Sequence, residues 1–425
     1  NLNRDFLKAD APEMLAWLKL FNRWLPDFFV DCHSTDGADY QYVATYMMEI
    51  FGNMDKGLTD WQRDEFLPYV VPRMDEAGYP IFPYVSFRSW HDPRSGLVSS
   101  PAPPRLSQGY SAIQNRPGLL IETHMLKPHQ LRVEATYELI KYTAEVLNQD
   151  YQKIQKLNMQ ADEFCKSEEF RAQPLPVDFK RSNEDSTMVE FRGVDYTIEK
   201  SNLTGGNWFK YSNNPKTYKL PWFNKPEVNK FIDIPEAYII PPEWTEVIQK
   251  LELHGVKVLK TNEPVEIEVK SCLFIDPQWR RRPYEGRHLM SNIQCKEITE
   301  KRFYPKGSAV VLTNQRTARV IANILEPEAM DSYVRWGFFD AIFEQKEYSE
   351  TYVMEVMARE MLENDPELKE EFENKKAEDP DFGKSQWGML NWFYSKTPYW
   401  DWKKDKYPVG RIFNSKILEK IPVEE

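Results

Sequence analysis

The stretch Asp27-Phe28-Phe29-Val30-Asp31-Cys32-His33 decides the fold class. It follows a Pro26-Asp27 break, is apolar on consecutive residues and is too short for a helix, so it reads as a strand buried on both faces that ends in a histidine. Gly118-Leu119-Leu120-Ile121-Glu122 repeats the pattern between Asn115-Arg116-Pro117 and Lys127-Pro128, and ends in a carboxylate. A helix is predicted next, with Leu131, Ala135, Leu139, Tyr142 and Val146 on one stripe and Arg132, Glu134, Glu138 and Lys141 off it. Upstream, Met14, Leu18, Phe21 and Leu25 recur at helical spacing, with Asp10 as the expected cap, Pro12 in the first turn and Glu13 three residues after the cap. Strand, polar end residue and helix in alternation place residues 1–150 in the α/β class.

Further along, the character changes. Residues 52–117 are rich in Pro, Gly and Ser, including Ser99-Ser100-Pro101-Ala102-Pro103-Pro104, and read as loop-dominated. A helical connector is expected over 151–172, followed by short β-like pieces at 188–191, 256–259, 265–269 and 309–312. After about 326 the chain reads as helical, with helices over 352–364 and 365–377 and an aromatic tail holding Trp387, Trp392, Phe393, Tyr394, Tyr399, Trp400 and Trp402. The expected division is an α/β domain over 1–150, a connector and β-rich accessory domain over 151–325, and a helical region over 326–425. At 425 residues the chain is long enough for two or three such domains.

Composition narrows the partners. Lys and Arg total 55 against 66 Asp and Glu, a formal charge of -11, so the field repels phosphate backbones and nucleic acid is a poor partner. No apolar run approaches the roughly 20 residues of a membrane span. Cys32, Cys165, Cys272 and Cys295 show no C-x-x-C spacing, which argues against a zinc knuckle and against a disulfide-stapled fold. Arg280-Arg281-Arg282 reads as a solvated loop, with an acidic partner as the alternative, and 363–379 as an exposed helical face. The sequence opens without an initiator Met or signal peptide, so any targeting segment is expected to have been removed or left out.

In an open α/β sheet, ligands bind beyond the carboxyl ends of the strands. His33 and Glu122 fit that rule: a neutral imidazole is a good zinc ligand, and a carboxylate raised in proton affinity by burial is a good general base. Equally, they are merely the polar residues at which each strand surfaces. Asn3 and Arg4 offer a fork of donors that matches a carboxylate. Tyr110, flanked by Gly109 and Ser111, is a candidate mobile hydroxyl or an exposed loop tyrosine.

Taken in order, Leu2-Asn3-Arg4, Asp31-Cys32-His33 and Glu122 resemble the later half of the zinc metallocarboxypeptidases, the carboxypeptidase A-like family. The resemblance implies that Asn3 and Arg4 bind the substrate's C-terminal carboxylate, His33 is the third zinc ligand and Glu122 is the base that activates water; Tyr110 matches the family's mobile tyrosine loosely. Ile121-Glu122-Thr123-His124-Met125-Leu126-Lys127-Pro128 and Arg335-Trp336-Gly337-Phe338-Phe339 resemble a bacterial branch. The family takes two zinc ligands from an H-x-x-E motif, and an oxyanion-stabilising Arg, upstream of its L-N-R segment. Here His91, His124, His129, His254 and His288 have no Glu three residues on, and His33-Ser34-Thr35-Asp36 would need both side chains on one ion from one turn.

The expectation is therefore a truncated chain: a partial α/β/α sheet with an exposed edge prone to self-association, and a zinc site with one ligand present and two missing. Its implied partner is a peptide with a free C-terminal carboxylate, in a periplasmic or secreted setting, with an amidase on cell-wall peptides as a related activity. The alternative is a metal-free pseudo-peptidase that binds peptide or glycan. The aromatic tail could stack on sugar rings, although such density more often makes a satellite core.

Overall fold

The computed structural model describes residues 2–424. It is a mixed α/β structure. Four strands form the sheet that carries His33 and Glu122, in the order Phe29–Thr35, Gly118–His124, Ala44–Met47, Ile81–Pro83. The first two are parallel, Ala44–Met47 runs antiparallel to Gly118–His124, and Ile81–Pro83 is parallel to Ala44–Met47.

One face of this sheet is buried under helices. Ala44, Tyr46, Ile81, Leu119 and Ile121 pack with Trp61, Phe66, Val70 and Met74, and with Ala135, Leu139 and Val146 of the helix His129–Lys166. That helix is a continuous 38 residues and so runs through the boundary expected at 150. Residues 56–76, expected as loop, are helical, with a π-helical turn at Gln62–Phe66. Pro68, just after the π-helical turn, and Pro72 are both tolerated inside this continuous helical run, each without an N–H to donate.

Burial on both faces holds for Gly118–His124 but not for Phe29–Thr35, in which Cys32 and Ser34 are exposed. The reason is position: Phe29–Thr35 is an edge strand, and among the described residues no strand pairs with its outer side. The helix Pro12–Trp24 forms as its apolar spacing predicts, burying Met14, Leu18 and Phe21. Asp10 is not its cap. The N-cap is Ala11, with no side-chain capping bond; Asp5 accepts from the N–H groups of Asp10 and Ala11 just before the helix at 3.0 and 2.8 Å, while Asp10 pairs with Lys8, Lys250 and Arg287.

The later chain builds two more sheets of note. Ser86–Ser89, Asp92–Val98, Asn207–Phe223 and Thr187–Lys200 form one, the last two as a long hairpin. A seven-stranded sheet runs Cys295–Tyr304, Val265–Phe274, Gly410–Ile412, Ala237–Ile240, Ala309–Leu312, Leu259–Thr261, Val423–Glu424. Two of its strands thus come from the region expected to be helical. Against the sequence expectation, Cys272 and Cys295 form a disulfide. The two lie at the ends of paired antiparallel strands, Phe274 opposite Cys295, a proximity that spacing along the chain does not reveal.

The main core also crosses the expected boundaries. Phe6, Leu7, Met14, Leu18, Phe21 and Tyr110 share it with Tyr238, Val320, Tyr333, Trp336 and Val409. The expected C-terminal helices are present as Thr351–Asn364 and Pro366–Glu378. In the aromatic tail Phe393 and Tyr394 are buried with Met354, Phe372 and Leu390, a satellite core, while Trp387, Tyr399 and Trp402 remain exposed.

Candidate functional site

Because Phe29–Thr35 and Gly118–His124 are parallel and in register, His33 lies directly opposite Glu122. Paired residues on neighbouring strands point to the same face, about 4.8 Å apart at the backbone. Asp31, two residues before His33, shares that face by the strand's period of two. Its Oδ2 lies 2.6 Å from His33 Nε2, so one imidazole nitrogen is committed to a carboxylate partner. Thr45 stands opposite Glu122 on the other side.

The second half of the site comes from the chain's first residues. Leu2–Arg4 is a single 3-10 turn. Asn3 Oδ1 accepts from the Ser107 N–H at 3.1 Å, which orients the amide and turns its NH2 group away from that bond. Arg4 is half-buried and, among the described residues, makes no hydrogen bond or ion pair; its charge acts on both His33 and Glu122. A guanidinium that is partly desolvated and has no partner among the described residues is suited to an incoming carboxylate.

Asp31, His33 and Glu122 set one another's protonation, with the Arg4 charge acting on His33 and Glu122. Burial, reinforced by the Asp31 charge, pushes the Glu122 carboxyl up to about 7 against the opposing pull of His33 and Arg4. His33 is raised, chiefly by its hydrogen bond to Asp31 and further by Glu122, with burial and Arg4 opposing. For Asp31, burial raises the carboxyl but the bond from His33 helps to bring it below the ordinary value. Two carboxylates on one sheet face are thereby driven apart, Asp31 to a permanent anion and Glu122 to a group that exchanges its proton near neutrality.

Tyr110 lies elsewhere. It is fully buried in the helix Ser107–Ile113, against Phe6, Trp17 and Phe21. Its hydroxyl is 2.9 Å from His254 Nδ1 and accepts from Gln114 Nε2 at 2.7 Å. His254 Nε2 faces the Leu7 carbonyl, which can only accept, so Nε2 carries the proton and Tyr110 donates to Nδ1. Burial holds His254 down at about 3, neutral under all ordinary conditions. A mobile, substrate-facing tyrosine is therefore not what this residue is: withdrawing it would open the core and strand a buried imidazole.

Sequence reasoning overlooked Asp31 as the partner of His33, although the two-residue spacing within one strand carries that signal. As for a metal, His33 backed by Asp31 has the chemistry of one zinc ligand with its orienting carboxylate. Asp36 lies beyond the strand end and is exposed. Among the described residues no three His, Cys, Asp or Glu side chains converge to hold an ion, so the donors in hand fit one corner of a zinc centre and not a complete one.

No protein-family model matches the chain, and no solved structure matches it. Curated proteins do. A Trichophyton rubrum protein named carboxypeptidase 2 is 23% identical over 349 residues, 79% of this chain and 61% of that protein. Proteins of the same name from Trichophyton tonsurans and Trichophyton equinum are each 34% identical over 107 residues, 24% of this chain and 19% of theirs. The chain thus spans 19% to 61% of the length of these relatives. They are fungal; the bacterial likeness rests on Ile121–Pro128 and Arg335–Phe339 alone. By sequence, the chain is similar at low identity to fungal proteins that carry the name carboxypeptidase.

Proposed function

We propose that this chain carries the carboxylate-binding and general-base half of a zinc metallocarboxypeptidase site, which releases residues from the C-terminus of peptides. The observation that carries it is the in-register pair His33 and Glu122 on one sheet face, with the Arg4 charge acting on both. Similarity to proteins named carboxypeptidase 2 supports it.

In this reading Arg4, aided by the Asn3 amide, binds the free carboxylate of the substrate's last residue. Glu122, titrating near neutrality, takes a proton from water at the scissile carbonyl and returns it to the departing amine. His33, aimed by Asp31, is one zinc ligand. Zinc, when held there, supplies Lewis acidity toward the scissile carbonyl. A secreted or periplasmic setting accords with the Cys272–Cys295 disulfide, which persists in oxidising compartments.

The test is Glu122→Gln in the zinc-loaded protein. Turnover of a peptide with a free C-terminus should fall by several orders of magnitude with zinc content unchanged. Retained turnover would remove Glu122 from its role.

A further inference from the structure

The turn that presents Asn3 and Arg4 is held from a distance. Three successive carbonyls just beyond it, those of Leu7, Lys8 and Ala9, all accept hydrogen bonds from residues far later in the chain. Leu7 O accepts from His254 Nε2 at 2.9 Å and from the Tyr333 hydroxyl at 3.0 Å. Lys8 O and Ala9 O accept from Lys250 Nζ at 3.1 and 2.6 Å, and the same ammonium reaches Asp10 Oδ1 at 3.0 Å. Lys250 is buried and spends its three N–H bonds on these acceptors; His254 and Tyr333 are fully buried.

This clamp acts on backbone that would not adopt its shape unaided. Ala9 has a φ of 56°, the left-handed region that L-residues other than Asn and Asp avoid. The strain is relayed to the turn by short links. Ala9 N–H donates to Asp5 O at 2.7 Å, Asp5 N–H to Leu2 O at 2.9 Å, and the Asp5 carboxylate pairs with Lys8 at 2.6 Å. Moving Ala9 therefore moves Asp5, and with it Arg4.

We propose that Lys250, with Tyr333 and His254 beside it, is a positioning residue for Arg4: through the carbonyls of residues 7–9 it holds the turn in the one shape that presents the guanidinium to a ligand carboxylate. The inference rests on the carboxylate-binding reading above and gives the later part of the chain a part in it. An ordinary structural lysine would support the fold without selecting among ligands.

The experiment compares two short peptides identical except for a C-terminal carboxylate or amide, titrated calorimetrically into the full chain. Lys250→Met should weaken binding of the carboxylate peptide about tenfold or more, because a displaced guanidinium loses its alignment. The amide peptide should bind as before, Lys250→Arg should recover part of the loss, and amides 5–11 should exchange hydrogen faster. Tyr333→Phe, which removes one donor and keeps the ring, should show the same selectivity at roughly threefold, and it decides the matter if Lys250→Met does not fold. A folded Lys250→Met, or failing that a folded Tyr333→Phe, that keeps wild-type preference for the carboxylate overturns the positioning role. Arg4→Gln separates the two levels: if it too keeps that preference, the carboxylate-binding reading itself falls.

Discussion

His33 Nε2 and Asp31 Oδ2 lie 2.6 Å apart on one strand, two residues from each other and facing Glu122 on the next. The spacing makes the carboxylate an orienting partner for the imidazole and leaves Glu122, among the described residues, without a hydrogen-bonded cation of its own. From this follows the division of labour between two acids on a single face.

Asp31→Asn should lower the midpoint at which His33 takes up a proton, since the Asp31 bond is the largest influence raising it. A histidine-resolved NMR titration of wild type and variant gives the two midpoints. An unchanged midpoint would show that the bond does not persist in solution.

Arg4→Gln should cost about tenfold to a hundredfold in affinity for a peptide with a free C-terminal carboxylate, the range of one charge-assisted hydrogen-bonded contact. Stability should barely change, because Arg4 makes no ion pair among the described residues that the substitution would break. Calorimetric titration and thermal melting check the two halves.

Tyr110→Phe should destabilise the fold by about 1–3 kcal/mol, because His254 Nδ1 and Gln114 Nε2 each lose a buried partner. Binding of the carboxylate peptide should stay within a factor of about two, as the residue is core and not surface. Denaturant unfolding and peptide titration distinguish this from a substrate-facing tyrosine, whose loss would reverse the pattern.

Glu49 gives a pH signature remote from the site. It is fully buried, its oxygens accept from Ala102 N–H at 2.9 Å and Asn53 Nδ2 at 2.6 Å, and burial pushes it up to about 7. A carboxyl raised in the folded state costs nothing below its unfolded value of 4.5, then costs progressively more up to about 7. Glu49→Gln should therefore be more stable than wild type at pH 8, by about 3 kcal/mol at most, and nearly equal at pH 4. Asn53 Oδ1 has no partner among the described residues, so a flipped Asn53 amide can receive the new NH2 group. Unfolding curves at the two pH values supply the comparison.

How far the sequence could be read depended on how local each cause is. His33 and Glu122 were legible because a short apolar run ending in a polar residue fixes both strand and end, and register then follows from the parallel pair. Burial of the His33 strand was not, since being at a sheet edge depends on which other strands exist. Tyr110 looked mobile from its Gly and Ser neighbours; what buries it is Phe6, Trp17 and Phe21, and a histidine 144 residues on. The 56–76 helices were hidden by Pro68 and Pro72, whose helix-breaking habit yields to the core formed by Trp61, Phe66 and Val70. The disulfide and the clamp on residues 7–9 both join segments far apart in sequence, and no spacing rule reaches them.

An NMR titration of the full chain with a short peptide, carrying either a free C-terminal carboxylate or an amide, asks whether Arg4 and His33 belong to one site. With the carboxylate, the Arg4 guanidinium and His33 ring signals should shift together at one apparent Kd, and with the amide both should respond weakly. Shifts confined to other parts of the chain, or equal responses to the two peptides, would contradict a shared carboxylate-binding site.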